Sequence, residues 1–177
     1  MSETQLDNVT ANIIQFIRSI GIPVAFQPIT ADMFVPGILI SKGTIIVDTD
    51  QLLYPGDLLH EAGHIAVAMP ADRLLMHGNV GAMNDKNKAD GEEMMAIAWS
   101  YAACVHLNMD PAVVFHRAGY QGSSDWYIEQ YTAGNMLYVP VLQWAGFCYD
   151  AQQAKVNDTK PFPHMLRWMR EADVSVQ

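Results

Sequence analysis

Asp57-Leu-Leu-His-Glu-Ala-Gly-His-Ile-Ala-Val-Ala-Met69 is the stretch on which the reading of this chain turns. It contains His60-Glu61-x-x-His64, two imidazoles at i and i+4 with a glutamate between them. On an α-helix the two histidines lie one turn apart on one face, roughly 5–6 Å between Cβ atoms, so both can reach a single ion. Glu61 falls about 100° round the helix from His60, toward the side of the ion that a water would occupy. A divalent cation lowers the pKa of such a water, and the carboxylate can take its proton as the water attacks a carbonyl. The surroundings favour a helix: Pro55 suits a first turn, Met69-Pro70 marks the end, and Leu58, Leu59, Ala62, Ile65, Ala66 and Val67 give an apolar flank. Gly63 costs about 1 kcal/mol relative to alanine in a helix interior, so its expected use is to let another segment approach closely.

Working outward, the 177 residues fit one domain, and a hydrophobic fraction of 50% is enough for a core. The formal charge of −9 speaks against a nucleic-acid partner, since no basic patch is present to release counterions. Cys104 and Cys148, the only two cysteines, sit in apolar surroundings and read as buried thiols of a reducing compartment. Residues 1–20 carry Glu3 and Asp7 without a long apolar run, so no signal peptide is expected, and no stretch is long enough to span a bilayer. The expectation is a cytoplasmic protein without a membrane partner. The sequence leaves the oligomeric state open.

Along the chain, apolar positions from Leu6 to Ile20 form a helical stripe closed by Gly21. Residues 22–28 read as extended, confined by Pro23 and Pro28 to a strand end or edge. Residues 37–41 and 44–48 flank Lys42-Gly43 as a hairpin. Residues 70–91 are turn-rich and read as a loop with one helical turn near Ala71–Met76. A long buried helix is expected from Glu92 to Leu107, another from Asp110-Pro111 through Phe115 to Gly119, and a third from Ser124 or Asp125 to about Gly134. Val139 to Cys148 is expected to be helical from Pro140, residues 150–161 are polar, and Pro163 to Arg170 is expected to be a short terminal helix. No repeat, linker or second domain is visible.

Two histidines need a third protein ligand to make a catalytic zinc site. One extended pattern requires Gly and His at offsets that here hold Val67 and Pro70, which excludes it. The other common solution is a glutamate on a following helix, where Glu92 and Glu93 stand. Asp90-Gly-Glu-Glu93 also fits a capping box, which would occupy Glu93 and leave Glu92 as the ligand. An Asp or His from residues 77–90 is a third option.

The hairpin, His60-Glu-Ala-Gly-His64 and Glu93-Met-Met-Ala-Ile-Ala98 together resemble the ImmA/IrrE-type zinc metallopeptidases, the minimal gluzincins. The likeness covers roughly residues 10–110 and is specific at His60, Glu61 and His64. It implies an α+β, zincin-like fold, a small N-terminal sheet with a hairpin on a mostly helical domain that carries the HExxH helix. It also implies a zinc site of His60, His64 and Glu93, with Glu61 as general base. The whole of 1–177 would be one metallopeptidase domain, with a core at about 10–110 and a helical extension at 111–177. Departures are Met94 where the family has a small residue, and the absence of a helix-turn-helix or sensor segment. A repressor-cleaving role is therefore not implied.

Amide hydrolysis also needs a donor to the developing oxyanion. His106, His116, Tyr101, Tyr120, Tyr127 and Tyr131 are available, none pinned by spacing, and His106 and Tyr101 read better as core residues. His77 reads as solvated and His164 as surface, the Trp and Met positions as packing, and the cysteines lack a paired base. The first expectation is thus a zinc-dependent peptidase acting on a peptide or protein. The alternatives are a metal-containing binding or regulatory protein without turnover, and a zinc hydrolase of a small non-peptide substrate.

Overall fold

A computed structural model describes residues 6–30, 33–78 and 86–172 of the chain. The fold is α+β. Helix α1 (Asn8–Ser19) leads into strand β1 (Val24–Phe26), then the hairpin β2 (Ile38–Ser41) and β3 (Thr44–Val47). Helix α2 (Asp57–Val67) carries both histidines, and a single turn α3 (Pro70–Arg73) follows it. Helix α4 (Lys86–His106) is the longest, and α5 (Ser124–Thr132), α6 (Val139–Trp144) and α7 (Ala151–Val156) complete the order. No helix among the described residues is long and apolar enough to cross a membrane.

The sheet has the order β1-β3-β2, β1 parallel to the central β3 and β2 antiparallel to it. Lys42 and Gly43 join the hairpin with φ of 51° and 71°, the left-handed pair that a two-residue turn requires. The proline-bracketed segment forms the β1 edge as expected. Asp7 caps α1, its carboxylate accepting from the Val9 and Thr10 N–H groups at 2.9 and 3.0 Å. The buried face of α1, through Ile13 and Ile17, joins Ile40, Ile45, Leu58, Leu59 and Trp99 in a core that also takes Val139, Leu142, Phe147 and Met165. The C-terminal helical part is therefore built onto the same core as the sheet.

Helix α2 packs on α4 where Gly63 faces Ala96 and Trp99: a Cβ at Gly63 would lie 3.1 Å from the Ala96 carbonyl oxygen. The close approach expected of this glycine is thus made by α4. At the other end of α2, the Gly56 Cα abuts the Val113 carbonyl so tightly that no side chain fits.

Three expectations are corrected. Helix α4 begins at Lys86, not Glu92, so Asp90 and Glu93 are interior helical residues and the capping box does not form. Lys88 helps to draw in this early start, through ion pairs to Asp72 at 2.6 Å and to Glu92 at 3.8 Å. The Asp110 cap holds, accepting from the Ala112 N–H at 2.8 Å, but only a 3₁₀ turn (Pro111–Val113) follows, because Val114 and Phe115 both enter the core. Residues 150–161, read from the sequence only as polar, contain α7, capped by Asp150 through the Gln153 N–H. Residues 163–170 are not helical: their N–H groups go elsewhere, Leu166 to the Phe147 carbonyl and Arg170 to the Ala66 carbonyl. The expected turn near Ala71–Met76 is α3, and the middle of that loop, 79–85, lies outside the described residues.

Replacing Gly56 with alanine forces a methyl group into a backbone carbonyl, and a loss of about 1–3 kcal/mol or more is expected in thermal or urea unfolding. Asp7→Ala should cost about 1 kcal/mol by removing the cap. The Thr10 hydroxyl and N–H hold the Asp7 carboxyl below its ordinary pKa of 3.8. The cap's contribution is therefore complete above that pH and is lost as pH falls through the lowered folded-state value. Urea titrations of wild type and Asp7→Ala between pH 2 and 7 should converge at the acid end.

Candidate metal centre

Because α2 is regular through Val67, His60 and His64 stand on one face and their Nε2 atoms converge to 3.1 Å, with the rings at 83°. Helix α4 brings Glu93 across the interface. Its carboxylate lies 3.2 Å from His64 Nε2 through Oε2 and 3.6 Å from His60 Nε2 through Oε1. Donors bound to zinc at 2.0–2.1 Å in a tetrahedron are roughly 3.3–3.4 Å from one another. The two Nε2 atoms, 3.1 Å apart, fit two corners of such a shell, and the Glu93 carboxylate stands beside them with one oxygen toward each imidazole. Glu61 forms its own group with the two imidazoles: their ligand atoms all lie within 4.8 Å of one another, an arrangement that could hold a metal ion and that does not include Glu93. Glu92 turns the other way, buried and beside Lys88. Its separation from Glu93 follows from their adjacent places on a helix, about 100° apart.

The tautomers suit a cation. The Tyr120 hydroxyl lies 3.3 Å from His60 Nδ1. With Nδ1–H donating to that oxygen, Nε2 keeps its lone pair for the site. Tyr120 and the following Gln121 both hold φ of 52°, a backbone cost of the kind concentrated at functional sites. Burial raises the Tyr120 pKa well above its ordinary value, so the phenol stays protonated.

Burial, with the His64 charge adding to it, lowers the His60 pKa to about 4, against the pull of Glu93. Burial also opposes charge on His64, but the Glu93 hydrogen bond and the Glu61 and Glu93 charges outweigh it and raise its pKa. Glu93 is lowered in turn: desolvation is overcome by the His64 hydrogen bond and the two imidazoles. Glu61 is raised, first by burial and then by the charges of Asp57 and Glu93. Asp57 is likewise raised by burial, against its contact with His116. Carboxylates crowded in this way, beside imidazoles with converging nitrogens, are chemically suited to a divalent ion.

These residues line a cavity of about 830 Å³, together with His116, Tyr54, residues 33–36, Ile38 and Ile40 of β2, and residues 118–121. His116 Nε2 is 2.9 Å from Asp57 Oδ1, and its ring stacks on Tyr54 with centroids 3.8 Å apart. Of the donors left unpinned by spacing, His116 and Tyr120 thus reach the site. Tyr101 stacks on Tyr131 at 4.3 Å as a core residue, whereas His106, expected in the core, is exposed at the end of α4 with its ring against Phe16 and Trp168. Tyr127 and Tyr131 join the Phe115 cluster. His77 and His164 are exposed, and neither His77 nor Asp90 lines the cavity. Both cysteines are buried and unbridged, their pKa pushed to about 12 by desolvation, which suits inert thiols. Asp57 and Tyr54 were missed as site residues, since nothing local in the sequence marks contacts to a histidine 59 positions on.

Comparison of the chain with protein-family models, with curated proteins and with solved structures gave no match.

Zinc content measured by mass spectrometry should be close to one ion per chain in wild type. It should be lost in His60→Ala and Glu93→Ala and retained in Glu92→Ala; retention in the first or loss in the last contradicts the ligand set.

Proposed function

We propose that the chain is a zinc-dependent metallopeptidase, with a zincin-like arrangement and His60, His64 and Glu93 as the ligands. The observation that carries this reading is the pair of imidazole Nε2 atoms 3.1 Å apart, with one Glu93 oxygen within 3.2–3.6 Å of each, facing a cavity that also contains Glu61. The resemblance to the ImmA/IrrE-type enzymes supports it through the same residues. When bound, zinc would supply Lewis-acid polarisation of the scissile carbonyl and a lowered pKa for an attacking water.

The chain's own groups do the rest. Glu61 takes a proton from the attacking water and is suited to pass it to the leaving amine, its raised pKa narrowing the gap between the two tasks. His116, its Nε2 held by Asp57 and its ring stacked on Tyr54, and Tyr120 line the cavity and are the candidate donors to the oxyanion. The outer edge of β2 offers a place for a substrate backbone. Ile38 N–H is taken by the Val35 carbonyl and Ile40 C=O by the Gly78 N–H. Between them Ile38 C=O and Ile40 N–H point outward with no partner among the described residues, a slot opposite Leu39 for one residue of an added strand. A cytoplasmic location belongs to this reading and is supported by the two buried, unbridged thiols.

One observation favours a second reading, a closed metal site in a binding or regulatory protein without turnover. Glu61 is near enough to both imidazoles, with ligand atoms all within 4.8 Å, to bind an ion itself instead of serving as a base.

Glu61→Gln separates the two. As a peptidase the variant keeps its zinc and loses cleavage of an unstructured protein such as casein by about 10²–10⁴-fold. As a closed site with Glu61 as a ligand it loses zinc affinity and has no cleavage to lose. Hydrolysis of small esters or amides without cleavage of any peptide would point to the small-substrate hydrolase instead.

A further inference from the structure

We propose that the cavity selects polypeptide segments carrying bulky aliphatic or aromatic side chains next to the bond that is cut, and rejects acidic ones; this rests on the peptidase reading above. The cavity has two unlike walls. One is the metal centre with Asp57 and His116. The other is apolar, made by Phe34 and Val35 from the β1–β2 connection, Ile38 and Ile40 of β2, and Leu53 ahead of α2. Its volume of about 830 Å³ admits several side chains at once.

Part of the apolar wall is open to water, although Ile38 and Ile40 are buried. Phe34 is 83% exposed and Leu53 63%, and both line this one cavity. Apolar groups gathered at the mouth of a polar site mark a binding surface more than isolated exposures do. A leucine or phenylalanine side chain taken from water against that wall gains about tenfold or more in affinity.

Charge completes the selection. Asp57, Glu61 and Glu93 line the cavity, and among the described residues no Lys or Arg does. A glutamate side chain lodged against the apolar wall, away from an ion whose charge Glu93 already partly meets, would give up water with no guanidinium or ammonium to receive it. The chain's net charge of −9 disfavours the approach of acidic segments even before contact.

The test uses full-length protein with Glu61→Gln, loaded with zinc so that peptides bind without being cut. Fluorescein-labelled alanine-based octapeptides carry Leu-Phe, Lys-Lys or Glu-Glu at the centre, and affinity is read by anisotropy. The Leu-Phe peptide should bind at least about tenfold tighter than the Glu-Glu peptide. Leu53→Arg and Phe34→Ala, at exposed positions where folding is readily checked by circular dichroism, should each weaken the Leu-Phe peptide several-fold. Leu53→Arg should also narrow the gap to the Glu-Glu peptide. Equal affinities, an acidic preference, indifference to Leu53→Arg, or no binding of the Leu-Phe peptide at millimolar concentration would each overturn the selectivity. Zinc content is measured alongside. A protein that holds no zinc yet sorts the peptides as stated defeats the peptidase reading alone. A zinc-loaded, cleaving wild type whose Glu61→Gln form does not sort them defeats the selectivity alone.

Discussion

The contact between α2 and α4 is the constraint on which the candidate centre depends. Two histidines one turn apart follow from helix geometry, but the third donor comes from an element that starts some twenty residues later. It arrives only because Gly63 lets the α4 backbone at Ala96 come within van der Waals reach of α2. That places Glu93, one turn before Ala96 on α4, opposite the imidazoles. A side chain at position 63 would press on the Ala96 backbone and the Trp99 ring, so the glycine that weakens the helix locally is what closes the triangle of donors.

The same interface collects charge in a place where water is scarce. Asp57 and Glu61 are held above their ordinary pKa by burial, while Glu93 is held below by the imidazoles it meets. Such a cluster is costly without a counter-ion and is eased by a cation bound between His60 and His64. Around it, Tyr120 and His116 come from the 114–121 stretch, where the backbone is irregular and locally strained.

Much of the first half of the fold was legible from periodicity and turn chemistry: α1, the β1 edge, the hairpin at Lys42-Gly43, and α2 with its end at Met69-Pro70. These elements declare themselves through local patterns. What could not be read depended on distant partners. The start of α4 is fixed in part by Asp72 reaching Lys88, and residues 163–170 stay non-helical because Phe147 and Ala66 offer them carbonyls. At the site, His60 and His64 were marked by spacing alone, and Glu93 was separated from Glu92 by the family likeness. His116 and Tyr120 could be named as candidates but not placed, since their contacts to Asp57 and His60 span 59 and 60 residues.

Arg73 gives the molecule a further property. Its guanidinium gathers the carbonyls of Ile65, Ala66 and Ala68, which end α2, together with the Arg170 carbonyl at 2.6 Å. One side chain thus staples the last turn of the histidine-bearing helix to the far end of the described chain. Fraying of that end would therefore release a helix terminus only a turn beyond His64, so the order of the two converging imidazoles leans in part on the carboxyl-terminal wrap.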